Sequence, residues 1–255
     1  EQSREVPISK EFEVLLSSMV VNLNIQDRTT DNPGSILYIC GGNSADNSYF
    51  EDLVQWRREQ GYEVYTANTS LTGTSQSSIK DYIDDAYYTW EYPPENVALV
   101  GDTSGSYQVG YSSVSGGESD YPYTLIEGND LLPEMFIGRL SASSSSDLSN
   151  IINKTLAYEK ATFLDYTGSD WYESSALVGD PSATGNSAII TNEYVENILN
   201  AFEFDNVQTC YSCSYSSWMQ NRLEEGILYF NYRGYIGTSG FGSSHINNAN
   251  NGYMT

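Results

Sequence analysis

The chain has 255 residues, of which 39% are hydrophobic and 13% aromatic, so it can bury a substantial core as one large domain or two smaller lobes. Its net charge of −23 argues against nucleic acid or an anionic membrane surface as a partner, because phosphate groups are bound by Lys and Arg. No apolar run approaches the roughly 18 residues that cross a bilayer, so no membrane span is predicted. The 22 tyrosines, with many Ser, Asn and Gly residues, are typical of an exported or surface protein.

Residues 1–34 are predicted to be a lead-in to the folded part. The segment EFEVLLSSMVV at 11–21 is apolar enough to dock on a core, and DNPG at 31–34 is a turn signal. The first residues have neither the basic head nor the apolar stretch of a signal peptide. If the protein is exported, we expect its signal to have been removed already.

From residue 35 to about residue 160, apolar strands alternate with amphipathic helices. The strands are short continuous apolar runs, which indicates burial on both faces of a parallel sheet. Gly61 and the Pro93-Pro94 pair end two of the helices. The predicted strands lie at 36–40, 63–67, 96–102 and 135–138, and the predicted helices at 49–60, 78–90 and 146–160, the last one capped by Ser146 and Asp147.

A second cycle follows in residues 161–255. ALVGD ends a strand in both cycles, at 98–102 and at 176–180. We therefore predict an α/β fold with two parallel-sheet subdomains and flanking helices, 35–160 and 161–255. The strands of the second cycle are predicted at 175–180, 207–211 and 227–232, and the helices at 191–202, with Tyr194, Val195, Ile198, Leu199 and Phe202 inside, and at 216–225.

Two aspartates, Asp102 and Asp180, directly follow a strand in each cycle. Because parallel sheets form their sites at the carboxyl ends of the strands, each could be a site carboxylate that orients a base or binds a cation. Each could equally form a turn or cap a helix. The residues around them leave both interpretations open.

Acidic residues also gather in the loop SDYPYTLIEGND at 119–130, which contains Asp120, Glu127 and Asp130. Clustered carboxylates and carbonyl groups in a loop suit a hard cation such as calcium, although the spacing is not that of an EF-hand. In a chain this acidic, a solvated loop is the alternative.

Cys210 and Cys213 form a single C-x-x-C motif. Zinc would require two more ligands, and the only histidine, His245, lies well downstream, so the pair is predicted to be a local disulfide or two free thiols. His245 follows a Gly/Ser-rich loop and is the only side chain whose ordinary pKa lies near neutrality. A pair between His245 and one of the cysteines, for instance Cys40 at a strand end, is conceivable, but no residue pattern singles out a nucleophile.

Several segments together resemble the gingipain-type cysteine peptidases, which have a caspase-like α/β fold. The similarity begins near residue 35 and extends over nearly the whole remaining chain. SDYPYTLIEGNDLLPEMFIGRLSASSSSDLSNIINKTLAYEK at 119–160 is the most specific match, with its Gly-Asn-Asp, Phe-Ile-Gly-Arg and Tyr-Glu elements. The other matching segments are WRREQGYEV at 56–64, NVALVGD at 96–102, SALVGD at 175–180 and LYFNYRGYIG at 228–237.

The resemblance implies a mechanism in which a cysteine thiolate attacks a peptide carbonyl, a histidine serves as general acid and base, and backbone amides stabilise the oxyanion. Asp180 falls near the acid that orients the family's histidine. Tyr235 occupies the histidine position itself, flanked by Gly234 and Gly237 of the family's glycine-containing loop. A phenol, with its ordinary pKa near 10, is a poor base at neutral pH, and His245 is then the only available base.

The family's nucleophilic cysteine follows the next strand, beyond Thr255, and none of the three cysteines here matches it. We therefore expect the second subdomain to be incomplete at its C-terminus and to be completed by a continuation or a second chain. The family's Arg/Lys specificity is not carried over, because NSAII at 186–190 contains no acid to pair with a basic side chain.

The resulting hypothesis is a secreted or cell-surface gingipain-like cysteine peptidase domain that acts on protein or peptide substrates. The alternative is a catalytically inactive pseudo-peptidase that serves as a surface binding or assembly module. The tyrosine at the histidine position favours the alternative. No cofactor is required in either case, and structural calcium is compatible with Asp120 and Asp130 and with the family.

Overall fold

The computed structural model describes residues 7–21, 29–30, 33–114, 117–162, 171–234, 236–237 and 240–241. The chain divides into two compact units, residues 1–160 and 161–255. Each unit contains a parallel sheet with helices packed on it. The predicted α/β fold with two parallel sheets is thus confirmed. Among the described helices, none combines the length and the apolarity that crossing a membrane requires.

The strands of the first unit are β1 (Ile8–Ser9), β2 (Thr29–Thr30), β3 (Ser35–Cys40), β4 (Glu63–Asn68), β5 (Asn96–Val100), β6 (Ser112–Val114), β7 (Gly117–Ser119) and β8 (Phe136–Leu140). Four of them form a parallel sheet with the order β4-β3-β5-β8. The helices of the first unit are α1 (Lys10–Met19), α2 (Ser48–Glu59), α3 (Thr69–Thr72), α4 (Gln76–Thr89) and α5 (Ser145–Glu159).

Strand β3 is buried along its whole length because helices cover both faces of the sheet. Successive side chains of a strand point to opposite faces. Leu37 therefore packs in the cluster that includes Ile83 of α4, whereas Ile36 packs in the cluster that includes Phe50 of α2 and Leu148 of α5. This two-sided burial explains why the strands of this unit are continuous apolar runs.

Side-chain caps mark the start of the helices. Asn47 Oδ1 accepts a hydrogen bond from the Tyr49 backbone N–H (3.0 Å), which starts α2. The α5 cap is Ser144, whose Oγ accepts from the Asp147 N–H (3.3 Å), so this helix begins earlier than predicted. A run of four serines allows a choice of cap, and the sequence does not show which one points back to the helix.

The lead-in forms a helix that docks on the first sheet. Ile8 and Phe12 are buried, and the Phe12 ring meets the Phe136 ring edge to face at a centroid distance of 5.1 Å. Ser9 donates hydrogen bonds from its backbone N–H (2.9 Å) and its hydroxyl group to the carboxylate of Glu95, which is only 8% exposed. This pairing links the start of α1 to the residue that precedes β5.

Burial of Glu95 predicts a pH effect on stability. Burial is the largest effect and raises the pKa of Glu95, although its hydrogen bonds from Ser9 act in the opposite direction. Since the folded-state pKa is above the unfolded one, the contribution of Glu95 to stability is fully present below the unfolded pKa and is lost as the pH rises through the folded pKa. Urea titrations at pH 7 and pH 5 should therefore show that acidification stabilises the wild type relative to Glu95→Gln. Equal pH dependence in both proteins would contradict this.

The strands of the second unit are β9 (Ser174–Gly179), β10 (Asn206–Cys210), β11 (Tyr229–Arg233), β12 (Ile236–Gly237) and β13 (Gly240–Phe241). Its helices are α6 (Pro181–Thr184), α7 (Ser187–Ala201) and α8 (Tyr215–Glu225). Three of the strands form a parallel sheet with the order β10-β9-β11. Helices α7 and α8 both contact the central strand β9.

The predicted inner face of α7 is wrong at three of its five positions. Tyr194, Ile198 and Phe202 are 67%, 41% and 74% exposed. Ala188 and Asn192 are instead fully buried, and they lie on the same face as the half-buried Val195 and Leu199. Apolar residues occupy more than half of the circumference of this helix, so periodicity alone could not show which part faces the sheet.

Candidate functional site

The strand order places a candidate crevice at the carboxyl ends of β9 and β11 in the second unit. The chain runs from β9 to β10 on one side and then to β11 on the other, and parallel sheets with such a reversal bind ligands just outside the carboxyl ends of the strands. Asp180 directly follows β9, and Gly234 directly follows β11. The Asp180 backbone N–H donates to the Arg233 carbonyl oxygen at 2.8 Å, which holds the two strand ends together.

Asp180 also caps the short helix α6. Its Oδ1 accepts from the Ser182 backbone N–H at 2.9 Å and from the Ser182 hydroxyl group at 2.5 Å. Of the two interpretations of this aspartate, the capping one is therefore realised. Its role as an orienting acid remains a prediction from the family resemblance.

Two tyrosines that the sequence interpretation did not select lie beside Asp180. Burial, followed by the negative charge of Asp180, raises the pKa of Tyr215 and of Tyr232 above the ordinary phenol value. Both phenols are therefore protonated at neutral pH, and the Tyr215 hydroxyl group lies within hydrogen-bond distance of the Tyr211 carbonyl oxygen at 2.9 Å. Asp180, Tyr215 and Tyr232 are called the Asp180 cluster below. Alternation along β11 could have indicated Tyr232, but no sequence signal links Tyr215 to this edge.

The residues after β11 are only partly described. A Cβ atom on Gly234 would lie 2.3 Å from the Tyr232 hydroxyl oxygen, so the close approach of this ring favours glycine here. Gly237 belongs to β12, which pairs antiparallel with β13. Tyr235 and His245 lie outside the described residues, and their roles as the family's histidine position and as an alternative base remain predictions.

A pair of amide side chains, one fully buried and one partly buried, joins β11 to α7. The Asn231 Nδ2 group donates to Asn192 Oδ1 at 2.6 Å, and Asn192 is fully buried. An amide in this position holds the strand in place because leaving either group unpaired in the interior costs about 1–3 kcal/mol. Asn231 lies in LYFNYRGYIG at 228–237, one of the segments that resemble the gingipain-type peptidases.

The C-x-x-C motif is a disulfide between Cys210 and Cys213. Of the two alternatives from the sequence, the local disulfide is thus the one formed. Cys210 ends β10, and Cys213 lies shortly before α8. The disulfide excludes both sulfur atoms as nucleophiles in this state.

Cys40 is fully buried at the end of β3, and burial raises the pKa of its thiol to about 12. It is therefore a packed core residue and not a thiolate. We expect native protein to react with iodoacetamide at Cys40 about a thousandfold more slowly than protein in urea, because reaction requires opening of the core. Peptide mass analysis after timed alkylation measures this ratio, and rapid native labelling of Cys40 would refute its burial.

The corresponding crevice of the first unit is filled by the protein itself. The Tyr107 carbonyl oxygen lies 2.2 Å from the position that a Cβ atom on Gly41 would take, and 1.7 Å from that of a Cβ atom on Gly101. The Tyr107 side chain is buried. Asp102 accepts hydrogen bonds at Oδ1 from the Thr103 N–H and the Ser141 hydroxyl, both at 2.8 Å. Asp102 therefore stabilises a loop, and this edge of the sheet offers no opening for a ligand.

The acidic loop is organised by an arginine. The Arg139 guanidinium donates hydrogen bonds to both carboxylate oxygens of Asp120, from Nε to Oδ2 at 2.9 Å and from Nη2 to Oδ1 at 2.7 Å. Asp130 Oδ1 accepts from the Leu132 backbone N–H at 2.8 Å. In the part of the chain that the structure describes, no three His, Cys, Asp or Glu side chains gather closely enough to hold a metal ion. Calcium at this loop remains a prediction, and the ion would have to compete with Arg139 for Asp120.

The sequence is similar to those of known proteins. Residues 29–254 match the family model described as Peptidase family C25. The chain is 29% identical over 215 residues to gingipain R2 of Porphyromonas gingivalis, an alignment that covers 79% of this chain and 28% of the relative. It is 34% identical over 142 residues to a Lys-gingipain of the same organism, with 52% of this chain and 8% of the relative covered.

Solved structures agree with the sequence comparisons. The crystal structure of the Arg-specific cysteine proteinase gingipain R matches with a TM-score of 0.68 and 24% identity, over 86% of this chain and 50% of that chain. A complex of Porphyromonas gingivalis RgpB pro- and mature domains matches with a TM-score of 0.69 and 24% identity, over 84% and 51%. The fold is the caspase-like α/β fold of gingipain-type cysteine peptidases. The chain belongs to peptidase family C25, and it spans about half the length of these solved chains.

Proposed function

We propose that the chain is the main part of a cysteine peptidase domain that binds protein or peptide substrates in the crevice between the ends of β9 and β11. The observation that supports this is the position of Asp180, whose backbone N–H donates to the carbonyl oxygen of Arg233 at the end of β11, immediately before Gly234 and Tyr235 in the sequence. Membership of peptidase family C25 supplies the reaction class, peptide-bond hydrolysis.

The nucleophile in this proposal is a thiolate from outside this chain's three cysteines. Cys40 is buried, and Cys210 and Cys213 are joined to each other. A continuation of the protein or a second chain would supply the thiolate. Its sulfur would bond to the substrate's carbonyl carbon while the amine product leaves with a proton, and water would then release the acid product and restore the thiol.

The reaction also requires a general base and acid near the end of β11, which takes the proton from the thiol and gives it to the leaving amine. Tyr235 stands at the family's histidine position, but a phenol with its ordinary pKa near 10 removes protons poorly at neutral pH. His245 is the chain's only imidazole. We propose that His245 acts as the base if the loop after β11 brings it to Asp180, and that Tyr235 otherwise lines the site.

The second candidate function is a pseudo-peptidase that binds peptides or partner proteins without cleaving them. The lack of an accessible thiol among the three cysteines and the tyrosine at the histidine position favour it. Exposed tyrosines of the second unit, such as Tyr194 and Tyr229, offer flat, amphipathic surface for recognition.

Labelling with a peptidyl chloromethyl ketone distinguishes the two functions. In the full-length protein, the peptidase proposal predicts one covalent adduct on a cysteine other than 40, 210 and 213, located by peptide mass analysis. Asp180→Asn should slow adduct formation on the order of a hundredfold, because orientation of the base is lost. Asp102→Asn is the matched control at the equivalent strand end and should leave the rate unchanged, while Tyr235→Phe and His245→Ala show which residue is the base. Saturable binding of the peptide without any adduct would establish the pseudo-peptidase instead.

We further propose that the protein is secreted or held at the cell surface. The Cys210–Cys213 disulfide supports this, since such bonds persist in oxidising compartments. Detection of the oxidised pair in protein taken from culture supernatant, and not from cell lysate, is the expected result.

A further inference from the structure

The loop between β10 and α8 combines a cross-link with direct contact to the candidate site. Cys210 at the end of β10 is 4% exposed, whereas Cys213 is partly exposed to solvent. Ser214 and then α8 follow immediately. The disulfide therefore closes a four-residue loop with one protected sulfur atom and one accessible sulfur atom.

Two tyrosines connect this loop to the residue before Asp180. A Cβ atom on Gly179 would lie 3.0 Å from the ring of Tyr211, so the ring packs directly on the end of β9. The Tyr215 hydroxyl group lies 2.9 Å from the Tyr211 carbonyl oxygen and 3.3 Å from the Gly179 carbonyl oxygen. Through these contacts, residues 210–213 adjoin both Gly179 and Tyr215 of the Asp180 cluster.

The cross-link is poorly placed to stabilise the fold as a whole. The entropy that a disulfide removes from the unfolded chain grows with the length of the loop it closes, and this loop is among the shortest. The helix that follows is held to the sheet independently, because Met219 packs in a cluster with Val178 of β9. Reduction is therefore expected to change the loop without unfolding the unit.

The surroundings also favour exchange with external thiols. The partly exposed Cys213 sulfur is the one that an incoming thiolate can reach. A thiolate at Cys213 would lie next to the N-terminus of α8, whose backbone dipole stabilises negative charge. Cys40 cannot intervene in this chemistry, because its thiol is fully buried.

We propose that Cys210–Cys213 is a thiol-exchange site that controls the Asp180 cluster. A small thiol attacks Cys213 Sγ as its thiolate, forms a mixed disulfide there, and releases the Cys210 thiolate, which takes up a proton. A second thiol attacks the sulfur of the bound small thiol and releases Cys213. Two thiols are oxidised to one small disulfide, and the protein disulfide gains two electrons and two protons. The exchange and its effect on the Asp180 cluster are both independent of the proposed peptidase function.

Differential alkylation of the native full-length protein tests the exchange. The protein is incubated with reduced glutathione at increasing concentration, treated with N-ethylmaleimide and digested for mass analysis. The expected result is that Cys210 and Cys213 become alkylated together while Cys40 stays unlabelled and the circular dichroism spectrum keeps its folded signal. Alkylation of the pair only after denaturation would overturn the proposal.

Hydrogen exchange tests the link to the site. The backbone amides of Gly179, Asp180 and Ser182 should exchange about tenfold faster in the reduced protein, while those of β3 and β5 keep their rates. The Cys210→Ser/Cys213→Ser double variant should show the fast rates with and without glutathione. If that variant does not fold, reoxidation of the wild type serves instead and should restore the slow rates. Reduction that leaves exchange at 179–182 unchanged would refute control of the Asp180 cluster, whatever the outcome of peptidase labelling.

Discussion

Replacing Arg139 with Ala is expected to lower the free energy of unfolding of the first unit by about 3–5 kcal/mol, the range for removal of one partner of a buried ion pair. The Arg139 side chain is only 11% exposed and pairs with both oxygens of Asp120. It also donates to the carbonyl oxygens of Gly101 (3.1 Å), Val109 (3.1 Å) and Gly110 (2.9 Å). The alanine variant would leave the carboxylate of Asp120 and the carbonyl groups of Gly101 and Val109 without this donor, whereas the Gly110 carbonyl keeps its hydrogen bond from the Tyr123 hydroxyl group.

Two further variants separate charge from geometry in this prediction. Arg139→Lys keeps the charge but loses the planar fork, so it should still lose about 2 kcal/mol. Lys80→Ala removes a cation from a partly exposed i,i+4 pair with Asp84 on α4 and should cost less than about 0.5 kcal/mol, as is usual for such helix pairs. Urea unfolding followed by circular dichroism measures all three proteins, and equal losses for Arg139→Ala and Lys80→Ala would show that Arg139 is an ordinary surface charge.

The strands and the order of the helices could be predicted because burial on both faces leaves a continuous apolar signal, as in ILYIC of β3. The family resemblance then located Asp180 and the segment around Tyr235. Neither the apolar pattern nor the family resemblance shows which residues far apart in sequence are in contact. Arg139 appears only as a charge within FIGRL, and its partner Asp120 appeared as a candidate calcium ligand. The Tyr215 hydroxyl group reaches Gly179 across 36 positions of the chain, which periodicity cannot reveal.

Glycines at the strand ends of the two units also show that the sequence alone does not reveal which groups are in contact. In the first unit, Gly41 and Gly101 make room for the backbone of Tyr107, so the opening that a parallel sheet leaves is closed from within. In the second unit, Gly179 instead receives the Tyr211 ring, and Asp180 stays at the crevice edge. A glycine after a strand indicates close approach of another group, but the sequence does not distinguish a ligand from the protein's own loop.

Gly41→Ala is expected to destabilise the first unit by about 3 kcal/mol, the upper end of the usual cost of overpacking. The new methyl group would lie 2.2 Å from the Tyr107 carbonyl oxygen and 2.8 Å from that of Gln108. Both neighbours are backbone atoms, so the loop itself must move and withdraw the buried Tyr107 ring from the core formed with Tyr38 and Leu148. Reopening of this crevice should appear as faster amide exchange at 102–110 as well as a lower urea midpoint.

Gly138→Ala is the matched control, because it makes the same chemical change on the same sheet. No heavy atom lies within 4 Å of the Cβ position at Gly138, so the methyl group meets open space. Restriction of the unfolded chain should make this variant as stable as the wild type or about 0.4–1 kcal/mol more stable. The contrast between the two alanines isolates the steric effect at Tyr107 from the change in chain entropy. If Gly41→Ala were as stable as Gly138→Ala, the Tyr107 loop would not occupy the crevice in solution, and the first unit would have an open edge like that at Asp180.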